Sequence, residues 1–353
     1  SDFSVGYVKK DAAASDPTPV PVPDPTPVPV PDPTPVPVPD PTPVPVPDTG
    51  EPQTHTVTIP LGLLNQYKGE FKFINNLPVK EGDTIVINML PNEIYVGGRF
   101  EIRPKLPVNV ILNGNGATLD VRERVGSWNS GVEGQAILVP TPNVVDYTVR
   151  NLTIIGSRTS GDRCMRLNQQ GNVVLEDLTL FAPRDGIQGS CANLTMRRVK
   201  VVDSGAAERS GKDHAVYVFC DKFYGEDLNV TTVNGHGLKI ISPSCELVTS
   251  IIKEGIGNTG GSLNWANGEG TFTVDRCLLG QIKSVGNNAM VIIAGNADRF
   301  VGSGVMSFKD TTFIDSVANN KRIIQNSVPP VTVKDLGGNK YNDLPYDLVS
   351  VGS

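Results

Sequence analysis

The sequence predicts an all-β fold, a parallel β-helix with coils of 22–29 residues, preceded by an extended polyproline stalk. Three observations predict it. A proline-rich octad repeats in tandem near the start; short β-type runs dominate from about Thr54 onward; and pairs of inward-looking apolar residues recur at a nearly constant interval.

The octad "DPTPVPVP" occurs four times, at Asp16–Pro23, Asp24–Pro31, Asp32–Pro39 and Asp40–Pro47. Proline at every second position removes backbone donors and fixes φ, so neither helix nor sheet is available. The segment is expected to be polyproline II, and its thirty-two residues at ~3.1 Å each span about 100 Å. We assign residues 16–53 to this stalk. Exact repetition favours a mechanical spacer over a ligand for proline-binding domains. Residues 1–15, with Phe3, Val5, Tyr7 and Val8, are too few to fold alone and are expected to dock on a larger assembly.

Residues 54–325 carry the repeat. Inward alternations fall at Ile137/Val139, Met165/Leu167, Ile187, Val216/Val218, Leu238/Ile240, Leu263/Trp265 and Val291/Ile293, with successive first positions 28, 22, 29, 22, 25 and 28 residues apart. A second strand follows each of several first ones: "NLTIIG" from Asn151, "DLTLFA" from Asp177, "RVKVVD" from Arg198 and "DLNVTT" from Asp227. Two or three short strands in ~26 residues fit neither a propeller blade nor a leucine-rich repeat, and do fit a β-helical coil. Beyond Pro329–Pro330 the period is lost, and residues 326–353 are expected to cap the last coil's open edge.

Composition narrows the function classes. A net charge of −6 without a Lys/Arg cluster argues against a nucleic-acid surface. No apolar run approaches the ~20 residues of a membrane-spanning helix, so no membrane insertion is expected. "SDFSVGYVKKD" lacks the apolar core of a signal peptide, which suits a chain made in the cytoplasm. Five cysteines, at 164, 191, 220, 245 and 277, show no metal-ligand spacing; their gaps hint at the structural period, and they are expected to be buried, reduced thiols. Cys191 and Cys220 each lie four places past an anchor and are expected to stack in the interior. No metal and no cofactor is expected.

The polar residues before each anchor form two columns. Two places before, the order is Arg163, Asp185, His214, His236, Gly261 and Ala289. One place earlier it is Asp162, Arg184, Asp213, Gly235, Gly260 and Asn288. Neighbouring strands lie ~4.8 Å apart, so these side chains are expected to share one strip. The long segments "GSRTSGD" and "DSGAAERSGK" precede it and are expected to wall a groove. Trp128 and Trp265 are candidates for sugar stacking, the latter sharing the inward register of the core.

The stretch "ILNGNGATLDV", Ile111–Val121, resembles the early coil of right-handed, pectin-lyase-like β-helices. That family includes carbohydrate lyases, glycoside hydrolases, epimerases and bacteriophage tailspikes. Within it, "PRDGI", "KDHAV", "NGHGLKI" and "GGSLNW" resemble the successive NTD, DD, GHG and RIK motifs of polygalacturonase-type hydrolases. The resemblance implies catalytic roles for Asp213 as proton donor, Asp185 as part of the water-activating base, and His236 and His214 beside them. Asp162, Arg163, Arg184 and Lys239 are the candidates for substrate contact. The chain departs where His214 replaces the second carboxylate, where the Asn of NTD is missing, and where Ser262–Asn264 lacks the cationic pair. A different substrate or a silent site follows from those departures.

Inverting hydrolysis needs carboxyls ~6.5–9.5 Å apart. Stacked acids repel and raise one pKa, whereas a charged histidine beside them lowers it. Three readings of the strip stay open: turn-capping groups, a polar glycan-contact strip, or a catalytic set. A lyase, with Arg163 or Lys212 as base, ranks behind them, because no acidic cluster is committed to calcium. The whole chain suggests a bacteriophage spike or fibre, joined to the virion through residues 1–15 and exposed on its surface, whose β-helix binds host-surface polysaccharide. A phage-borne or secreted glycoside hydrolase and a structural decoration protein are the alternatives. Many such spikes are trimers, and a homotrimer is the oligomer this resemblance offers, although no heptads enforce it.

Overall fold

A computed structural model describes residues 50–61, 77–96, 100–122, 136–156, 163–181, 184–205, 213–233, 235–256, 261–283, 289–293, 302–315, 323–326 and 331–345. The docking peptide, nearly all of the stalk, Asp162, Lys212 and Trp128 lie outside these residues, as do 157–162 and 206–212 of the two long segments. The described residues are all-β. Every strand pairing among them is parallel except the last, where Leu344–Pro345 runs antiparallel to Lys340–Tyr341.

Partners in a stack are some two dozen residues apart in sequence, too far for hairpins, and parallel pairing accordingly needs a crossover. Here other strands supply it. A 19-stranded sheet contains two parallel stacks, fused because Val108–Asp120, Val144–Ile155 and Asn172–Phe181 are each long enough to serve both. A separate nine-stranded sheet forms the third stack. Along it Leu138, Met165, Ile187, Val216, Leu238, Leu263, Val291 and Ile324 lie in register.

The anchors from Met165 to Val291 thus fall where the alternation predicts. The first does not: Leu138, not Ile137, stands opposite Met165 and is fully buried. A one-residue slip exchanges the two faces of a strand.

Alternation governs burial. Thr84–Met89 and Val108–Asp120 bury every second residue through most of their length and leave the residues between at least partly exposed. Parallel sheets usually bury both faces. One-sided burial in the first two stacks is compatible with a β-helix, in which all stacks share one interior; in the third, Phe100–Ile102, Leu263–Trp265 and Val291–Ile293 are buried throughout. That interior holds Tyr147, Val149, Leu175, Leu194, Met196, Phe223, Leu247, Phe272 and Phe308.

The first and second stacks meet at a one-residue bend. Asn151, Asp177, Arg198, Asp227, Thr249, Arg276 and Asp310 all have φ between 47° and 53°. Their amides climb the stack: Arg198 donates to the Glu226 carbonyl at 3.0 Å, Asp227 to Val248 at 3.2 Å and Thr249 to Asp275 at 3.0 Å. Left-handed backbone suits Asn and Asp but strains a β-branched residue. Thr249 also donates its hydroxyl to Asp227 Oδ1 at 2.5 Å. Thr249→Asn keeps a donor and relieves the strain. It is expected to raise stability by about 1 kcal/mol, read as a higher urea midpoint; an unchanged or lower midpoint would refute the strain argument.

Stacking continues past Pro329–Pro330. Thr332–Asp335 and Lys340–Tyr341 add strands to the first and second stacks. All five cysteines are buried and none forms a disulfide. Cys191 and Cys220 share a corner column with Gln169 and Ser242, as expected, and burial pushes both thiols up to about 12, which leaves them unreactive. The cysteine gaps, however, do not trace one column. Cys245 lies in register with Phe223 and Phe272 in the first stack, and Cys277 follows the Arg276 bend. Trp265 is fully buried, its indole N–H donating to the Ser242 carbonyl at 2.9 Å.

Candidate functional site

The polar column forms because each strand of the third stack is entered through a corner, and every corner presents one side chain to the next. Arg163 and Asp185 open the strands Arg163–Asn168 and Asp185–Ser190 and lie in direct register. Asp213 and His214 precede Val216–Phe219, and His236 precedes Leu238–Ile241.

Three bonds climb the column, each from a backbone amide to the side chain one layer earlier. The N–H of His214 donates to Asp185 Oδ1 at 3.0 Å, that of His236 to His214 Nδ1 at 3.1 Å, and that of Gly261 to His236 Nδ1 at 2.8 Å. The two imidazoles stack at 5.1 Å with 26° between their planes. Guanidinium groups hold the acids: Arg163 Nε lies 3.2 Å from Asp185 Oδ2, and Arg184 Nε 3.2 Å from Asp213 Oδ1. The structure therefore brings together Arg163, Asp185, His214 and His236, with the Arg184–Asp213 pair beside them. These are the bonds that the turn-capping reading requires.

Burial sets the protonation. It lowers His214 to about 2, helped by His236 and Lys239, and lowers His236 to about 4, helped by Lys239. Both rings are neutral near pH 7. Because His214 Nδ1 accepts the His236 amide, its proton sits on Nε2; His236 Nδ1 faces both the amide and the carbonyl of Gly261, at 2.8 and 3.3 Å. The Asn264 amide nitrogen lies 3.1 Å from His236 Nε2. The other end of that amide is buried without a partner among the described residues.

Burial also raises the Asp185 carboxyl above its ordinary value; Asp213 adds to this, while the His214 amide and Arg163 oppose it. Neutral imidazoles do not undercut that rise. Asp213, the acid to which the resemblance gives the proton, is only 1% exposed.

A second row escaped the sequence reading. On the outward side of the third stack, Arg166, Gln188, Tyr217, Lys239 and Asn264 stand in register, one per layer. Only Lys239 had been singled out. Tyr217 meets His214 edge-on at 5.4 Å and Phe219 at 5.1 Å, and Lys239 Nζ lies 4.5 Å from the Tyr217 ring centroid. Gln188 Oε1 is buried without a partner among the described residues. The signal was present in "HAVYVFC": with Val216 and Val218 inward, Tyr217 and Phe219 must face outward.

Among the described residues, no group of three or more His, Cys, Asp or Glu side chains could hold a metal ion, and no helix is long and apolar enough to cross a membrane. The fold and the two rows define an all-β protein of long parallel strand stacks. No family model, curated protein or solved structure matches the chain.

Proposed function

We propose that the chain is a right-handed parallel β-helix of the pectin-lyase-like kind, carried on a bacteriophage spike or fibre, that binds host-surface polysaccharide along the outward row of its third stack. The fold reading is supported by the recurring order of strands, first stack, second stack, third stack, with right-handed crossovers the rule for parallel strands. In this reading residues 1–15 attach the protein to the virion and residues 16–53 hold the body away from it.

One observation carries the binding role: an aromatic ring flanked in register by an amide and a cation on a rigid sheet. Sugars present apolar faces rimmed by hydroxyls, and sites for such ligands combine aromatic platforms with a few fixed polar groups. The acids of the inner column, by contrast, already have partners.

The alternative reading, a glycoside hydrolase, is favoured by the raised carboxyl of Asp185, which suits Asp185 rather than Asp213 to the general-acid role and exchanges the roles the resemblance implies. Incubation with polysaccharides of candidate hosts separates the two. The expected result is retention of glycan at unchanged chain length. Tyr217→Ala is expected to weaken retention at least about tenfold without moving the urea midpoint. Reducing ends released by the wild type but not by Asp213→Asn would replace binding with hydrolysis. A protein that neither retains nor shortens any glycan would be a decoration protein.

A further inference from the structure

We propose that Lys239 is an anion subsite on this face, receiving a carboxylate, sulfate or phosphate substituent of the bound glycan. The inference rests on the binding role above and adds the chemistry of the ligand.

Lys239 stands between Tyr217 and Asn264 in the outward row and is only partly exposed. Its surroundings supply no counter-charge. The ammonium lies over the Tyr217 ring, and the imidazoles that influence it, His214 and His236, are neutral. The nearby acids are committed elsewhere, Asp185 to Arg163 and Asp213 to Arg184. No carboxylate among the described residues pairs with it. Burial accordingly pulls the Lys239 ammonium below the usual lysine range, and nothing offsets that pull.

A half-buried cation is normally paired. The ring fixes its direction through a cation–π contact but does not neutralise it. A ligand anion would. Asn264, on the strand next to Lys239, is itself buried and turns its amide nitrogen to His236. A sugar ring at Tyr217 would bring an acidic substituent within reach of Lys239, whose Nζ lies 4.5 Å from the ring centroid.

Retention of the full-length protein on immobilised dextran, carboxymethyl-dextran, dextran sulfate and dextran phosphate at low ionic strength tests this. The four share a backbone and differ in charge chemistry. The wild type is expected to prefer at least one charged polymer over dextran by about tenfold or more. Lys239→Gln should erase the preference, and Lys239→Arg should keep most of it. Which polymer wins distinguishes carboxylate from sulfate and phosphate.

Urea midpoints guard against a folding artefact: Lys239→Gln is expected to be no less stable than the wild type, since it removes an uncompensated charge. Equal retention of all four polymers, retention of none, a preference that survives Lys239→Gln, or a marked loss of stability in that variant would each overturn the proposal. A protein that holds a neutral glycan through Tyr217 regardless of charge would keep the binding role and lose only this inference.

Discussion

Gly235→Ala is expected to abolish soluble folded protein or to lower the urea midpoint drastically. Gly235 has φ +85°, and an added Cβ would lie 1.2 Å from the Asp213 carbonyl oxygen and 3.2 Å from His214 Nδ1. The left-handed backbone alone costs a non-glycine residue about 1–2 kcal/mol. The overlap with backbone costs far more, because relief would require prying one layer from the next. There the amides of Ala215 and Val216 donate to the carbonyls of His236 and Gly237 at 3.0 and 3.1 Å. A loss above about 4 kcal/mol places the substitution among the severe ones. Gly337→Ala is the comparison: its φ is +93° but nothing lies within 4 Å of the new Cβ, so only the backbone cost of about 1–2 kcal/mol is expected. Equal losses in the two variants would mean that the corner yields easily.

Acid is expected to unfold the protein from the histidine range downward, before carboxylates protonate. His214 and His236 are lowered in the fold to about 2 and about 4, from 6.5. A histidine with a lowered pKa favours the fold while neutral, so its contribution is present above 6.5 and is lost as pH falls toward the folded value. Between about 6.5 and about 4 the unfolded chain binds up to two more protons than the folded one, a slope of at most about 2.7 kcal/mol per pH unit. Below about 4 only His214 continues the loss. Asp83, lowered to about 2 chiefly by the Lys80 and Gln53 amides, adds to it as pH falls below 3.8. Asp185 acts the other way. Its raised pKa gives a contribution that is full below 3.8 and is lost as pH rises through the folded value. It binds one proton against two, and so moderates the slope without reversing it. Urea midpoints from pH 8 to pH 4.5 check this, with His214→Asn expected to flatten the profile by about one proton. A midpoint constant across that range would sink the assignment of neutral rings.

The stacks were legible from Met165 to Val291 because those strands point apolar residues one way at period two. "AILVP" misled by one residue, since a run that is apolar throughout shows no alternation to read. The second strands were found, but not the role of their first letters: Asn151, Asp177, Arg198 and Asp227 are the bend itself, and Arg198 carries no sequence cue for left-handed backbone. The column of acids and histidines was visible from spacing alone. Its ion pairs were not, because whether Arg163 reaches Asp185 depends on side-chain reach rather than register. Tyr217 was hidden by its valine neighbours, which make an outward aromatic resemble core. The cysteine gaps looked periodic because strands of different stacks recur at similar intervals.

The one-way bonding of the corner column has a consequence for how such chains change over evolutionary time. What a position there must supply to its successor is a lone pair, and carboxylate, amide oxygen or deprotonated ring nitrogen all qualify. Drift among these options can assemble, by construction alone, groupings that look like the machinery of an enzyme.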